Sequence, residues 1–343
     1  MADPYKNQEP LVGIVLATYH CNLSYFEAQI ESICNQEFDR WVCYISDDAS
    51  PDATVLAMRK LIEGDRRFIL QSHGQNLGAY HNFEQGLNYF QTNSAITHIA
   101  FSDQDDVWYP QKLGRLLESM DQQDAVMAHS DMSLIDANGK LLTSSAWQYE
   151  KRRPEKLDIP LLLLRNVVTG CTMMFKKELL SSVLPFPTQA SDRDWYHDHW
   201  IALVAAHEGK IAHVTEPLLG YRQHGSNVVG ALEGTGTIGQ EVKLWLQKGR
   251  FTFKSYRIHR DLGTAFCQRF GSEQQQKFCN PFSEQRFDFG LSIAWLGLRS
   301  FLVGYGGQGI TLRLVINKFV YDGIRLRRRL LKVFGLKPSL HDG

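Results

Sequence analysis

The chain is predicted to be an α/β protein, a mostly parallel mixed sheet covered by helices and followed by a helical C-terminal region. Three observations carry this. Short apolar runs alternate with helix-period segments through the first 130 residues. Each run ends on a polar cluster. Beyond about residue 237 the strand signals stop and helical spacing takes over. Continuous apolar strands alternating with helices indicate a parallel sheet buried on both faces.

In chain order, residues 11–18 form a first apolar strand, and residues 24–36 have helical spacing with Ser24 as N-cap. Residues 41–46 are the next strand, 52–63 a helix and 67–71 a strand. Residues 79–90 are helical and 96–101 form a strand; 110–120 form a helix with Pro110 in its first turn. Residues 125–130 and 167–175 read as strands, the second containing Thr169-Gly170-Cys171. An aromatic-rich helix spans 193–207, and short strands cover 211–214 and 218–221. Residues 223–236 are glycine-rich and read as a mobile loop. Residues 237–337 are helical, broken by glycines between 304 and 309.

Composition narrows the class. The 343 residues are 43% hydrophobic and 22% charged, ordinary for a soluble globular chain. Lys+Arg and Asp+Glu balance at 37 each, which gives no argument for a nucleic-acid partner. The six cysteines have no Cys-x-x-Cys spacing and mostly apolar neighbours, so reduced thiols and a cytoplasmic location are expected. Signal-peptide features and an apolar run of membrane-spanning length are both missing.

The chemistry concentrates at strand ends, where ligands of parallel sheets bind. Thr18-Tyr19-His20 follows the first strand, Asp47-Asp48 the second, Asn76-Leu77-Gly78 the third and Asp103-Gln104-Asp105 the fourth. Residues i and i+2 of an extended segment point to one side, so Asp103 and Asp105 can converge on a hard divalent cation carrying a diphosphate.

With these motifs in this order, the chain resembles the family 2 glycosyltransferases of the GT-A fold over about residues 10–230. Leu16-Ala17-Thr18-Tyr19 is similar to the family's first strand end and Asp47-Asp48-Ala49-Ser50-Pro51-Asp52 to its base-binding turn. The run from Ser102 to Leu113 is similar to its metal motif and following helix. Asn76-Leu77-Gly78 with Asn82-Phe83-Glu84, Asp103 to Trp108, and Tyr221-Arg222-Gln223-His224 resemble the rhamnosyltransferase branch, which builds bacterial surface polysaccharides from dTDP-L-rhamnose.

The resemblance implies a GT-A domain over residues 1–232 and a helical region over 233–343. It implies inverting transfer from a nucleotide sugar to a glycan or lipid-linked oligosaccharide, with Mg2+ or Mn2+ as cofactor. Asp198 takes the position of the base, with Asp192, Asp194 or a mere capping role for Asp198 as alternatives. Asp105 is the expected direct metal ligand, with Asp103 and His224 beside it. Thr18, Tyr19, Asp47, Asp48, Asn76, Gly78, Asp103 and Arg222 are expected around the nucleotide sugar; Arg222 pairs with the diphosphate or anchors its loop. Thr169, Gly170 and Cys171 are expected beside the acceptor, or at a bulge. Trp147, Trp195, Tyr196 and Trp200 serve as sugar platforms or as core.

From residue 310 onward the sequence changes character. Arg313, Lys318, Arg325, Arg327, Arg328, Arg329 and Lys332 face only Asp322. Leu312, Val315, Ile316, Phe319, Val320 and Ile324 fall on one helical stripe, which fits a helix drawn to an anionic membrane surface or a packed helix with a solvated basic face. Two readings of other classes stay in view. A nucleotidyltransferase needs a basic glycine-rich loop that residues 11–21 lack, and a non-catalytic glycan- or lipid-binding scaffold would not need the carboxylates at 103, 105 and 198. Within the enzyme reading, a UDP-hexose donor is the alternative to dTDP-L-rhamnose.

Overall fold

The computed structural model describes residues 9–155, 157–188, 196–224, 254–271, 281–282, 288, 290–302 and 308–333. The chain divides into two compact units, Met1–Leu162 with Asn166–Glu233, and Leu163–Arg165 with Gly234–Gly343. In the first unit the order is β1 (Val12–Thr18), α1 (Leu23–Cys34), β2 (Trp41–Asp47), α2 (Asp52–Leu61), β3 (Phe68–Ser72), α3 (Ala79–Gln91) and β4 (His98–Ser102). Then come β5 (Val107–Trp108), α4 (Lys112–Gln122), β6 (Met127–Ile135), β7 (Leu141–Thr143), α5 (Ala146–Glu150), α6 (Ile159–Leu164), β8 (Met173–Lys176), α7 (Leu180–Val183), α8 (His197–Glu208) and β9 (Ile211–Arg222). The result is an α/β fold on one mixed sheet.

Spatial order is β3-β2-β1-β4-β8-β6-β9-β5, with β7 on β6. The β3, β2, β1 and β4 strands pair in parallel, as their uninterrupted apolar character predicts. Beyond β4 the direction changes: β8 is antiparallel to both β4 and β6, while β6 and β9 are parallel. Val12, Ile14, Val15 and Leu16 of β1 are wholly buried, each contributing about 1.5–3 kcal/mol by leaving water. Register sets the site. Thr18 pairs with Asp47, Asp47 with Ser72, and Leu16 with Ser102, so four strands end at one edge. The α3 helix lies against β1 through Gly86, where a Cβ would run into the Val15 side chain.

Several local expectations are corrected. The α1 N-cap is Asn22, whose Oδ1 accepts from the Ser24 N–H at 3.0 Å; Ser24 is already inside the helix. Pro110 lies in the turn before α4, which begins at Lys112. Thr169-Gly170-Cys171 is no strand: Gly170–Thr172 forms a 3₁₀ turn, and β8 starts at Met173. The two strands expected at 211–221 are one, β9, with register irregularities against β6 near Asp131. The two-residue β5 strand is too short to leave a periodic signal.

In the second unit, described helices span Lys254–Phe270, Leu291–Leu302 and Gln308–Val333. The last two pack closely, since a Cβ on Gly297 would collide with Thr311. Lys318 is not on a solvated basic face. It is fully buried, with Nζ on both oxygens of Asp322 at 2.8–2.9 Å, because the face with Leu314 and Asn317 turns inward. Of the expected apolar stripe, Phe319 and Ile324 are exposed while Leu312, Val315, Ile316 and Val320 are partly covered. Cys21, Cys34, Cys43 and Cys171 are free thiols, but Cys267 is disulfide-bonded. Cys267 departs from the reading of the cysteines as mostly reduced thiols, because pairing depends on which segments meet rather than on spacing. Among the described residues no helix is long and apolar enough to cross a membrane.

Candidate active site

The level strand ends are tied into one rim. Gln104 bonds Tyr19 in both directions: its Oε1 accepts from the Tyr19 N–H at 2.8 Å and its Nε2 donates to the Tyr19 carbonyl at 3.3 Å. The His20 N–H donates to Ser50 Oγ at 2.8 Å. His20 and Ala49 both hold positive φ, 45° and 62°, a conformation that side chains with a Cβ adopt only when surroundings impose it. Loops after β1, β2 and β4 are thereby joined.

Asp47 and Thr18 lie beneath this rim rather than on it. The Asp47 side chain is sealed: Oδ1 accepts from Thr18 Oγ1 at 3.0 Å, and Oδ2 from the Ser50 N–H at 3.0 Å and Ser72 Oγ at 2.7 Å. Burial this complete calls for such pairing. Both side chains are thereby held below the rim, bracing the loops that form it. Asp48 is also buried, bonding the backbone N–H groups of Leu77 at 2.6 Å and Gly78 at 2.9 Å. Gly78 takes φ 82° there, and so suits glycine. Tyr19 and Asn76 are exposed.

Past β4, Asp103 and Asp105 are partly exposed while Asp106 is fully buried. Asp105 Oδ2 meets His224 Nε2 at 2.7 Å, so the structure brings together two of the residues expected at a cation. Cis ligands of an ion with bonds of about 2.1 Å sit roughly 3 Å apart, a spacing this pair matches. Burial, then the charges of Asp105 and Asp198, push the Asp103 carboxyl well above the usual carboxylate range. A divalent cation would relieve that repulsion, so the residues fit one. Deeper, donor atoms of Asp103, Asp106 and Cys171 lie within 4.8 Å of one another. Burial holds the Cys171 thiol neutral, which makes this group poorer for a hard cation.

Arg222 is an anchor. Its N–H donates to Asp106 Oδ1 at 3.1 Å and its Nε to the Asp105 carbonyl at 2.7 Å; its Nη1 reaches the carbonyls of Asp136 and Ala137. It is buried with its guanidinium over the Tyr25 ring, and these contacts hold its loop. Lys112, the first residue of α4, is buried below the acidic cluster. Its Nζ donates to the Cys171 carbonyl at 2.6 Å and sits 3.5 Å over the Trp108 ring. Desolvation brings its pKa down to about 7, against the opposing pull of Cys171, Asp106 and Asp103.

Asp198 lies in the first turn of α8, partly exposed. Its Oδ1 accepts from Asn166 Nδ2 and its Oδ2 from the Gly170 N–H, both at 3.0 Å. Burial raises its pKa to about 6, while the N–H groups of Gly170 and His199 pull the other way. Asn166 is itself locked, since its Oδ1 accepts from the Val168 N–H and its Nδ2 also reaches the Val168 carbonyl. Gly170 is small because His197, stacked on Phe83, fills the space where a Cβ would go.

The acceptor expectations change accordingly. Gly170 serves Asp198 and His197, and Cys171 is buried. Thr169 Oγ1 accepts from Arg152 at 2.6 Å. Trp200 is wholly buried with Nε1 donating to the Val183 carbonyl at 3.0 Å, a core residue rather than a platform. Trp147 is likewise buried against His129, whereas Tyr196 is exposed. Trp195, Asp192 and Asp194 lie outside the described residues. Sequence reasoning passed over Gln104, Lys112 and Asn166. A lysine opening an apolar helix just after an acidic cluster is a signal for Lys112; Asn166 has none.

Comparison with known proteins places this geometry. The chain is 28% identical over 173 residues to a putative teichuronic acid biosynthesis glycosyltransferase, TuaG, of Bacillus subtilis, covering 50% of this chain and 64% of that protein. It is 26% identical over 178 residues to WfgD of Escherichia coli, a UDP-Glc:alpha-D-GlcNAc-diphosphoundecaprenol beta-1,3-glucosyltransferase, covering 52% and 64%. The chain thus spans just under two thirds of the length of these relatives. In fold it is similar to S. aureus TarS 1-349 in complex with UDP-GlcNAc, with a TM-score of 0.52 at 12% identity, covering 93% of this chain and 92% of that one. The model for glycosyl transferase family 2 matches residues 13–184, half of the chain, and the chain belongs to that family.

Proposed function

We propose that the chain is an inverting glycosyltransferase that uses a nucleoside-diphosphate sugar and a divalent cation to extend a bacterial surface polysaccharide or lipid-linked glycan. The transferase domain is residues 1–232, with residues 233–343 appended. The observation that carries the reading is Asp198, a carboxylate clamped by Asn166 and Gly170 and electrostatically coupled to the acidic strand end. Inversion needs one base, and a pKa of about 6 suits a group that removes the acceptor hydroxyl proton near neutral pH. A carboxylate has about four acceptor sites, so beyond the bonds from Asn166, Gly170 and His199 Asp198 keeps one for that hydroxyl.

Asp105 and His224, with Asp103 beside them, would hold Mg2+ or Mn2+; the mixed oxygen and nitrogen set suits Mn2+ well. Such an ion, when bound, neutralises charge on the departing diphosphate. Arg222 and Lys112 hold the acidic loop in shape, and Gln104 fixes it against Tyr19. Tyr19, Asn76 and Gly78 would line the nucleotide side, with Asp47 and Asp48 bracing them from below. Tyr196 is the remaining exposed ring for an acceptor sugar.

The donor assignment to dTDP-L-rhamnose rests on the motifs around Asn76, Asp103 and Tyr221 to His224. A UDP-hexose donor has support in the names of WfgD and of the TarS complex. A panel of nucleotide sugars scored for metal-dependent thermal protection separates the two, since a ligand that binds only the folded state raises its stability. The acceptor in the name of WfgD, linked to diphosphoundecaprenol, supports a lipid-linked acceptor at the cytoplasmic face of the membrane. Asp198→Asn tests the mechanism: transfer is lost while donor nucleotide still binds. Near-normal turnover would overturn the base assignment, and absence of any metal-dependent donor turnover in the wild type would favour the scaffold reading.

A further inference from the structure

The 3₁₀ turn Gly170–Thr172 touches both halves of the site. The Gly170 N–H donates to Asp198 Oδ2 at 3.0 Å. One residue on, the Cys171 thiol faces the Asp103 and Asp106 carboxylates as a hydrogen-bond partner. The Cys171 carbonyl accepts from Lys112 Nζ at 2.6 Å. The turn is closed by the Thr172 N–H and Oγ1, which both donate to the Thr169 carbonyl, at 2.9 and 2.7 Å. In so tight a turn of planar peptides, a displacement of the Cys171 carbonyl is passed on to the Gly170 N–H.

Lys112 is a costly residue for its place. It is wholly buried, and an ammonium taken out of water needs compensation. Its one side-chain hydrogen bond among the described residues goes to a backbone carbonyl rather than to a carboxylate. Met or Leu would fill the same space without that cost. The base of the side chain is fixed: the Lys112 N–H donates to the Tyr109 carbonyl at 3.0 Å as α4 opens. Along its length, Nζ lies 3.5 Å over the Trp108 ring, and the Trp108 N–H is held by Ser32 Oγ at 3.0 Å. Arg152 secures the approach to the turn through the Val167 carbonyl at 3.0 Å and Thr169 Oγ1 at 2.6 Å, and its bonds stop there. The Cys171 peptide is left to Lys112.

We propose that Lys112 is a positioning residue for the base: by holding the Cys171 carbonyl it keeps the Gly170 N–H on Asp198 and sets the base at a fixed distance from the acidic strand end. Donor and cation lie at that strand end under the proposed function, so this distance decides whether the acceptor oxygen is in line with the departing diphosphate. A misplacement of about 1 Å can cost on the order of a hundredfold in rate. The inference rests on Asp198 as base. Hydrogen exchange reads the tether without any turnover, and Asp198→Asn reads the base without disturbing Lys112, so either can fail while the other stands.

The test is Lys112→Met in the full chain, which keeps the bulk of the side chain and removes its donor. Peptides covering residues 166–173 are expected to exchange amide hydrogens about tenfold faster or more, while those covering residues 19 and 103–106 keep their protection. Nucleoside diphosphate release from UDP-glucose or dTDP-L-rhamnose, whichever the wild type consumes, should fall in kcat by about tenfold or more. The donor KM should stay within about twofold, and Mn2+ affinity in the presence of UDP should not weaken. Unchanged exchange over 166–173 overturns the proposal, as does faster exchange there with kcat intact. So does loosening confined to 103–106 with weakened Mn2+ binding, since Lys112 then braces the acidic strand end alone. If a thermal melt shows that the variant has lost its fold, Lys112→Gln, whose amide stops one atom short, replaces it under the same criteria.

Discussion

Replacing Asn166 by alanine should change the pH at which the enzyme works. Asn166 donates to Asp198 Oδ1 at 3.0 Å, and the Gly170 N–H supplies the matching bond to Oδ2. Both favour the ionised carboxylate against burial, which holds the pKa at about 6. A hydrogen bond to a charged group is worth about 1.5–3 kcal/mol. At 1.36 kcal/mol per pH unit, its loss would lift the pKa by about 1–2. Asp198 is partly exposed and water can fill some of the gap, so the lower end is expected. The acid limb of kcat/KM should then move from near pH 6 to near 7. The sign is fixed: a higher pKa leaves less ionised base at any pH below it. Between pKa values of 6 and 7 the ionised fraction at pH 6.5 falls about threefold, and at pH 8.5 it barely changes. The assay is a kcat/KM profile from pH 5 to 9 at saturating Mn2+, with a thermal melt beside it because Asn166 also braces Val168. Activity lowered equally at every pH, with the limb unmoved, would refute the reasoning and leave Asn166 a purely structural residue.

Three further outcomes follow from the packing and the acidic rim. Asp105→Asn and His224→Ala should each weaken Mn2+ affinity by at least tenfold in calorimetric titrations with nucleoside diphosphate present; affinity unchanged in both would remove the pair from the metal site. Gly86→Ala should cost about 1–3 kcal/mol in urea unfolding, because its methyl meets Val15 of the neighbouring strand. A midpoint equal to wild type would mean α3 does not approach β1 that closely. Trp200→Phe should lower stability by about 1–3 kcal/mol through the lost indole hydrogen bond to Val183 and the space the smaller ring leaves in the core, and leave the acceptor KM alone; a raised KM with normal stability would return Trp200 to the acceptor site.

The strands and their ends were legible because burial on both faces writes itself as unbroken apolar runs. Leu16-Ala17-Thr18 and Ile99-Ala100-Phe101 say where the chain is covered and where it emerges. Residue type alone does not say which polar group faces solvent. Thr18 and Asp47 look as available as Tyr19 and Asn76, and only the hydrogen bonds of Asp47 to Thr18, Ser50 and Ser72 show it spent inside. Long-range partners are similarly hidden. Asn166 meets Asp198 across 32 residues, and Lys112 meets Cys171 across 59. Lys318 reads as one more surface cation until its helix is packed, when it becomes half of a sealed pair. Trp200 shows the same limit for aromatics, since sugar platforms and core residues share a composition.

The two-way bond between Gln104 and Tyr19, with the His20 to Ser50 bond beside it, makes three loops behave as a single stiff collar. Side chains that point out of a stiff collar can be exchanged without disturbing its curvature. On the proposed function, a change at Tyr19 would retune which nucleotide is accepted, while the buried aspartates, Gln104 and Arg222 keep the acidic rim in place. Donor choice, under that proposal, would sit on outward side chains and be separable from the machinery that carries out transfer.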